Sequence, residues 1–186
     1  MTQEKVSVLL LPGLWNSGPD HWQSHWENSR PGCIRVVQRE WETPSAADWV
    51  ETLEAAVLAA PGPVVLAAHS LACTLVSRFA AAASPGATAK VRGALLVAPS
   101  DVDAPSYPGG TSGFTPMPLE RLPFPGIVVA SSNDEYVTIA RARLFARSWG
   151  ARLVEVGAHG HLNSASKLGM WPQGLALLEE LSREVH

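Results

Sequence analysis

The sequence predicts an α/β fold, a three-layer α/β/α sandwich in which helices cover both faces of a mostly parallel sheet of about six strands. Two observations predict this class. Short runs rich in Val, Leu and Ile alternate with amphipathic stretches, and the runs are apolar throughout, as in strands that are covered on both faces. Because no linker or repeat divides the chain, we expect one domain over residues 1–186.

Six apolar runs are the predicted strands. They are residues 6–11 (VSVLLL), 34–38 (IRVVQ), 63–68 (PVVLAA), 93–98 (GALLVA), 126–131 (GIVVAS) and 152–156 (RLVEV). Because helical stretches separate most of them, the strands are predicted to run parallel.

Amphipathic stretches between these runs are the predicted helices. They are residues 19–28, 45–59, 70–83, 137–149 and 173 to the C-terminus. In the second helix, Ser45 is a suitable N-cap, and Leu53 and Val57 recur at helical spacing. In the third helix, Leu71 and Leu75 do the same.

The segment 100–125 interrupts the alternation. It carries six of the 15 prolines of the chain. A stretch of this length without regular structure inside a compact domain is usually functional. We therefore predict a functional loop or lid that walls a binding pocket.

The composition limits the possible partners. With a net charge of −3 and scattered Lys and Arg residues, the chain has no basic surplus to neutralise phosphates, so we expect no nucleic-acid or membrane partner. Cys33 and Cys73 match no zinc or redox spacing and are expected to be reduced thiols. No stretch has the pattern of a signal peptide or a membrane span, which favours a cytoplasmic protein.

Ser70 stands where the third predicted strand turns into a helix. Its surroundings, Ala68-His69-Ser70-Leu71-Ala72, follow the G-x-S-x-G nucleophile elbow with alanine at both glycine positions. Small residues there allow the tight turn that exposes the serine oxygen. A serine that only caps the helix is the alternative interpretation.

A serine hydroxyl needs a base to take its proton and an acid to orient that base. On this fold the expected chain order is serine, acid, histidine, with the acid and the histidine on loops after later strands. Asp134 follows the fifth predicted strand, and His161 follows the sixth. This order predicts that Ser70 is a nucleophile.

Each of the two partners has a rival. His159 lies two residues before His161, which we favour because the preceding glycine gives the loop backbone freedom. Asp101 and Asp103 follow the fourth predicted strand and are alternative acids. Glu135, next to the favoured acid, is interpreted as a solvated surface group.

Two backbone N–H groups are candidates for an oxyanion hole. That of Leu71 lies at the first turn of a helix, whose dipole stabilises negative charge. That of Leu14 follows Gly13, which permits a turn towards the site. The predicted substrate-binding residues are Trp15, Phe114 and Met117.

Three further histidines are interpreted as structural. His21 and His25 have the spacing of the zinc motif H-E-x-x-H, but Trp22 replaces its glutamate. We therefore expect packing and no metal. His69, inside the elbow, is expected to support the elbow backbone.

Four motifs carry a family resemblance: Leu11-Pro12-Gly13 followed by Asp20-His21-Trp22 and Trp26, His69-Ser70-Leu71, Ser132-Asn133-Asp134 followed by Val137, and Gly160-His161. On these, nearly the whole chain resembles the small serine hydrolases of the retinoblastoma-binding protein 9 type, a branch of the α/β-hydrolase superfamily without a separate cap domain. The resemblance implies a triad of Ser70, Asp134 and His161 and no metal or organic cofactor. Family members usually have glycine where this chain has Ala68.

These observations predict a serine hydrolase that cleaves a carboxylic ester, and secondarily an amide, of a small-molecule substrate through an acyl-enzyme. The alternative is a non-catalytic protein of the same fold that binds a small molecule or a protein, since the fold hosts both. The sequence Leu71-Ala72-Cys73-Thr74-Leu75 lacks the glutamate of the Leu-x-Cys-x-Glu motif that binds pocket proteins, so that function is disfavoured. The oligomeric state stays open.

Overall fold

The computed structural model describes residues 6–183, which form a six-stranded parallel sheet covered by helices. The strands are β1 (Ser7–Leu11), β2 (Cys33–Arg35), β3 (Val64–His69), β4 (Val91–Val97), β5 (Gly126–Ala130) and β6 (Arg152–Glu155). Their order across the sheet is β2-β1-β3-β4-β5-β6. All six predicted strands are present. The second is shifted and shorter than predicted because β2 is an edge strand, and Val37 beyond it is exposed.

The described residues contain six α-helices. They are α1 (Trp22–Ser29), α2 (Ala46–Ala59), α3 (Leu71–Ala82), α4 (Pro85–Lys90), α5 (Ile139–Trp149) and α6 (Pro172–Arg183), and a 3₁₀ helix spans Ser164–Ser166. The five predicted helices are among them, although α1 begins three residues late because His21 is its N-cap. Helix α6 is described as far as Arg183, and the rest of the predicted helix lies outside the described residues. None of the helices between residues 6 and 183 has both the length and the apolar character needed to cross a bilayer.

Two hydrophobic cores lie on opposite faces of the sheet. Along β3, Leu66 packs into the core beneath α2, α3 and α5, whereas the neighbouring Val65 packs into the core beneath α1 and α6. This alternation follows from the period of two along a strand. The predicted three-layer α/β/α sandwich is therefore confirmed.

The proline-rich segment between β4 and β5 is irregular, as predicted, but much of it is packed. Phe114 is 1% exposed and its ring lies edge-on to that of Trp49 at 5.5 Å. The Arg78 guanidinium donates hydrogen bonds to the carbonyl oxygens of Phe114 (3.0 Å) and Pro116 (2.6 Å). The segment is thus anchored to α2 and α3 over these residues.

Candidate active site

Ser70 occupies the turn between β3 and α3 in a strained backbone conformation. Its φ of 59° and ψ of −123° are rare for a residue with a side chain. Its N–H donates a hydrogen bond to the carbonyl oxygen of Val97 on the neighbouring strand (3.0 Å). Ala68 and Ala72, on either side, are completely buried, so larger residues there would have no room. The turn has the shape that the sequence predicts for a nucleophile elbow.

The loop after β1 packs directly against this turn at Gly13. A Cβ atom built on Gly13 would lie 2.9 Å from both the carbonyl oxygen of His69 and the Cβ of Ser70. Because real Cβ atoms do not approach backbone that closely, only glycine fits without moving Ser70. Glycine is therefore required at this position because there is no space for a side chain.

A continuous chain of hydrogen bonds joins Ser70, His161 and Asp134. Ser70 Oγ lies 2.8 Å from His161 Nε2, and His161 Nδ1 lies 2.8 Å from each carboxylate oxygen of Asp134. The Asp134 side chain is fully buried and that of His161 is 6% exposed. A carboxylate can only accept at this distance, so Nδ1 carries the imidazole proton and Nε2 is free to accept the serine proton. This arrangement can activate a hydroxyl nucleophile.

The loops that carry the acid and the histidine are joined by hydrogen bonds. Asn133 Oδ1 accepts from the N–H of Gly160 (2.7 Å), and Ser131 Oγ accepts from the N–H of His159 (2.9 Å). Gly160 has a φ of 60°, which glycine adopts without strain. The structure therefore brings His161 to Ser70, whereas the rival His159 is exposed.

The rival acids have other partners. Asp101 forms a bidentate ion pair with Arg141, at 2.7 and 2.9 Å. Asp103 accepts hydrogen bonds from Thr115 Oγ1 (2.6 Å) and from a backbone N–H. Glu135 is exposed, as expected. Of these carboxylates, none bonds to His161 in the described part of the chain.

Both predicted oxyanion donors are free. Within residues 6–183, neither the Leu14 N–H nor the Leu71 N–H donates a hydrogen bond. Leu71 begins α3, and its nitrogen would lie 3.2 Å from a Cβ on Gly13, so the loop of Leu14 touches the start of this helix. Two unpaired N–H groups close to Ser70 suit an oxyanion.

A cavity of about 340 Å³ opens beside Ser70. Its walls are polar and aromatic and carry no Asp, Glu, Lys or Arg from the described residues. Trp15, a predicted substrate-binding residue, lines it and is 56% exposed, and Leu14 lines it as well. The proline-rich segment contributes Tyr107 and Pro108.

The prediction that Phe114 and Met117 line this cavity is wrong. Both side chains are buried in the core beneath α2 and α3, where Phe114 packs on Trp49 and Met117 Sδ accepts a hydrogen bond from Thr74 (3.5 Å). Apolar residues in the irregular segment cover the sheet because no helix follows β4 to do so.

His69 and His21 line the cavity behind the reacting groups. His69 Nε2 donates to the carbonyl oxygen of His161 (2.8 Å), so His69 supports the histidine loop rather than only its own turn. Burial lowers the pKa of His21 to about 3 and holds the pKa of His69 well below its usual value. Both rings are therefore neutral next to His161. Within residues 6–183, no three His, Cys, Asp or Glu side chains are grouped as metal ligands would be.

Ser100 is a contact of Ser70 that the sequence did not indicate. The two Oγ atoms are 2.6 Å apart, and Ser100 is 1% exposed. Ser100 follows β4, the neighbour of β3 in the sheet, so the rule that carboxyl ends of parallel strands share one edge could have suggested it.

Comparison with known sequences identifies the family of the chain. The sequence pattern of a family described as serine hydrolase matches residues 8–180. The chain belongs to the serine hydrolase family. Ser70, Asp134 and His161 of this serine hydrolase all lie within the matched region. No curated protein matches the chain.

Solved structures show the same α/β-hydrolase fold. A protein described as a YdeN-like hydrolase from Pectobacterium atrosepticum is 31% identical, with a TM-score of 0.83 over 96% of this chain and 91% of the other. The ydeN gene product of B. subtilis is 19% identical, with a TM-score of 0.77 over 97% and 100%. Esterase 2 of Thermogutta terrifontis is 16% identical, with a TM-score of 0.68 over 98% and 84%. The last two likenesses concern the fold.

Proposed function

We propose that this serine hydrolase cleaves carboxylic esters, and secondarily amides, of small neutral substrates through an acyl-enzyme on Ser70. The proposal is based on the chain of hydrogen bonds from Ser70 Oγ through His161 to the buried carboxylate of Asp134. A non-catalytic binding protein has no need of a strained serine whose hydroxyl is paired with an oriented imidazole.

In the acylation half, Ser70 Oγ attacks the carbonyl carbon while its proton moves to His161 Nε2. Asp134 stabilises the imidazolium that forms, because its carboxylate accepts a hydrogen bond from the Nδ1–H of His161 at 2.8 Å. The N–H groups of Leu14 and Leu71 receive the oxyanion. When the tetrahedral intermediate collapses, His161 gives its proton to the leaving alcohol and the acyl group stays on Ser70.

In the deacylation half, water takes the place of the alcohol. His161 removes a proton from this water, whose oxygen bonds to the acyl carbon. When the second tetrahedral intermediate collapses, the bond to Ser70 Oγ breaks, Oγ takes the proton back from His161, and the carboxylic acid is released. The neutrality of His21 and His69 favours both halves, since a second positive charge nearby would oppose formation of the His161 imidazolium.

The cavity supports a small, neutral and partly polar substrate. Its volume of about 340 Å³ is at the lower end of the range for ligand sites. An anionic acid or a cationic amine bound within it would lack a charged partner among the described lining residues. Trp15, half exposed at the rim, is the proposed apolar contact for the alcohol or acyl group.

Three finer assignments belong to the same proposal. The chain is of the retinoblastoma-binding protein 9 type, supported by the role of His21 as the cap of α1 and by the burial of Trp22 and Trp26 beneath the sheet. It forms one domain. It acts in the cytoplasm, which is supported by two buried free thiols, Cys33 and Cys73.

The test uses a fluorophosphonate probe and a series of p-nitrophenyl esters of increasing acyl length. We expect the wild-type protein to be labelled and to hydrolyse short esters, and Ser70→Ala to lose both properties while it stays folded. A wild-type protein that is neither labelled nor active on any ester of the series would support the binding protein instead.

A further inference from the structure

Ser100 presents a hydroxyl to the nucleophile from the loop after β4. Its Oγ lies 2.6 Å from Ser70 Oγ, it is 1% exposed, and it also lines the cavity. Neither acylation nor deacylation by Ser70, His161 and Asp134 alone requires this hydroxyl.

The backbone holds Ser100 in place from both sides. Val97 is paired with His69 in the sheet, so the chain leaves β4 next to the elbow. Ala98 then bends the backbone with a φ of 49°. On the other side, the N–H of Asp101 donates to the carbonyl oxygen of Tyr136 (2.9 Å), and the Asp101 carboxylate is paired with Arg141. The hydroxyl is therefore positioned by a rigid support.

The proton count fixes the direction of the hydrogen bond between the two serines. His161 Nδ1–H donates a hydrogen bond to Asp134, so Nε2 is an acceptor and receives the hydrogen bond of the Ser70 O–H. A hydroxyl has only one proton to donate. The contact between the serines must then run from Ser100 O–H to Ser70 Oγ.

We propose that Ser100 is a catalytic residue that acts in deacylation, by donating this hydrogen bond to Ser70 Oγ as that oxygen leaves the acyl group. The proposal rests on the acyl-enzyme proposed above. As the second tetrahedral intermediate collapses, the bond from the acyl carbon to Ser70 Oγ breaks, its electron pair goes to Oγ, and Oγ takes the proton from His161 Nε2. Ser100 keeps its own proton throughout.

Acylation and deacylation use this hydrogen bond differently. The free enzyme already has it, so in acylation it stabilises the starting state and the transition state together and changes the rate little. In the acyl-enzyme, Ser70 Oγ is an ester oxygen, which is a weak acceptor. The oxygen regains negative charge only in the transition state of deacylation, and a hydrogen bond that strengthens there accelerates the step.

The experiment measures the two halves separately with p-nitrophenyl trimethylacetate, whose crowded acyl group leaves slowly. The release of nitrophenol in the first turnover gives the acylation rate. After removal of excess ester, intact-mass spectrometry follows the loss of the acyl group. The proteins are wild type, Ser100→Ala, Ser100→Thr, which keeps a hydroxyl, and a control, Ser77→Ala. The control loses a buried serine hydroxyl whose partner among residues 6–183 is the Thr74 carbonyl oxygen.

We expect Ser100→Ala to lose its acyl group about ten- to a hundredfold more slowly than wild type, the range of a hydrogen bond to a charged oxygen. Its acylation rate should stay within about threefold of wild type, because the hydrogen bond stabilises the starting state and the transition state of acylation equally. Ser100→Thr should restore part of the deacylation rate, and Ser77→Ala should change neither rate.

Three results would overturn the proposal. Equal deacylation in Ser100→Ala and wild type would mean that the hydroxyl has no part in the step. Faster acylation in Ser100→Ala would mean that the hydrogen bond runs the other way and diverts the Ser70 proton from His161. A wild-type protein that hydrolyses the ester without forming any acyl-enzyme would overturn the proposed function and this inference with it.

Discussion

The imidazole of His161 lies with Nδ1 2.8 Å from both carboxylate oxygens of Asp134, whose side chain is fully buried. Asp134 Oδ1 also accepts the N–H of Tyr136 at 2.8 Å, which fixes the carboxylate plane. This pair decides which nitrogen of His161 faces Ser70 with a free lone pair.

Asp134→Asn should lower kcat on the order of ten-thousandfold at neutral pH, because an amide favours the wrong imidazole tautomer. Steady-state hydrolysis of a short p-nitrophenyl ester measures the effect. The control is Glu135→Gln, a similar change on the exposed neighbouring residue, which should leave kcat near the wild-type value. Equal and small effects of the two substitutions would contradict the role of Asp134.

The two histidines of the loop after β6 should differ strongly. His161→Ala should lower kcat by roughly a thousandfold or more, the scale of losing a triad member. His159→Ala should have little effect, because this side chain is exposed and only its backbone takes part, through hydrogen bonds to Ser131 and Ser166. Comparable losses in both variants would show that the loop, rather than the His161 imidazole, is what matters.

Gly13→Ala should impair both stability and activity. The new methyl group would lie 2.9 Å from Ser70 Cβ and the His69 carbonyl oxygen, and such overpacking costs about 1–3 kcal/mol. Because the elbow must move to relieve it, we also expect kcat to fall by about tenfold or more. Thermal unfolding and ester hydrolysis measure the two effects.

The matched control for Gly13 is Gly86→Ala in α4. A Cβ on Gly86 would meet nothing within 4 Å, and alanine favours a helix over glycine by about 0.5–1 kcal/mol. We therefore expect equal or higher stability and unchanged activity. If Gly13→Ala behaved in the same way, the close packing of the loop after β1 against the elbow would not matter for function.

The sequence predicts the local features of the site better than the contacts between elements. The elbow at Ser70 needs small neighbours, and these are visible as Ala68 and Ala72. Asp134 and His161 are found because each follows a run of apolar residues that is recognisable as a strand. Ser100 was missed because its partner lies on a neighbouring strand, and only the sheet order brings the two together.

Two further differences between the sequence prediction and the structure have physical reasons. The prediction for Phe114 and Met117 was wrong because proline content identifies an irregular segment but does not say which side chains face the sheet. Helix α4 was missed because Pro85 and Gly86 are typical of turns. In the structure Pro85 opens the helix, where it needs no N–H partner, and Ser84 Oγ accepts from the N–H of Ala87.

Stability should fall in mild acid because His21 is kept neutral. Burial and the nearby Arg35 lower its pKa from 6.5 to about 3, so between these values the unfolded chain binds a proton that the folded chain does not. Above pH 6.5 His21 is neutral in both states and costs no stability. As the pH falls from 6.5 towards 3, the cost of keeping it neutral in the folded protein grows. Because of His21, we expect the free energy of unfolding to be about 2 kcal/mol lower at pH 5 than at pH 6.5.

Urea unfolding of His21→Asn over the same pH range measures this contribution. Asparagine can still accept the N–H of Gln23 as the N-cap of α1, but it does not titrate. We expect a weaker pH dependence in this variant than in wild type. His159→Asn, at an exposed site, is the control and should keep the wild-type slope. Parallel curves for all three proteins would contradict a neutral, buried His21.

The most direct measurement of the central claim is to locate the acyl group on the protein. The enzyme is mixed with p-nitrophenyl trimethylacetate, quenched in acid during the first turnovers, digested and sequenced by mass spectrometry. We predict one acyl group per chain, on Ser70, and none in Ser70→Ala. An acyl group on another residue that is released as fast as the enzyme turns over, or steady hydrolysis by a folded Ser70→Ala protein, would contradict the account.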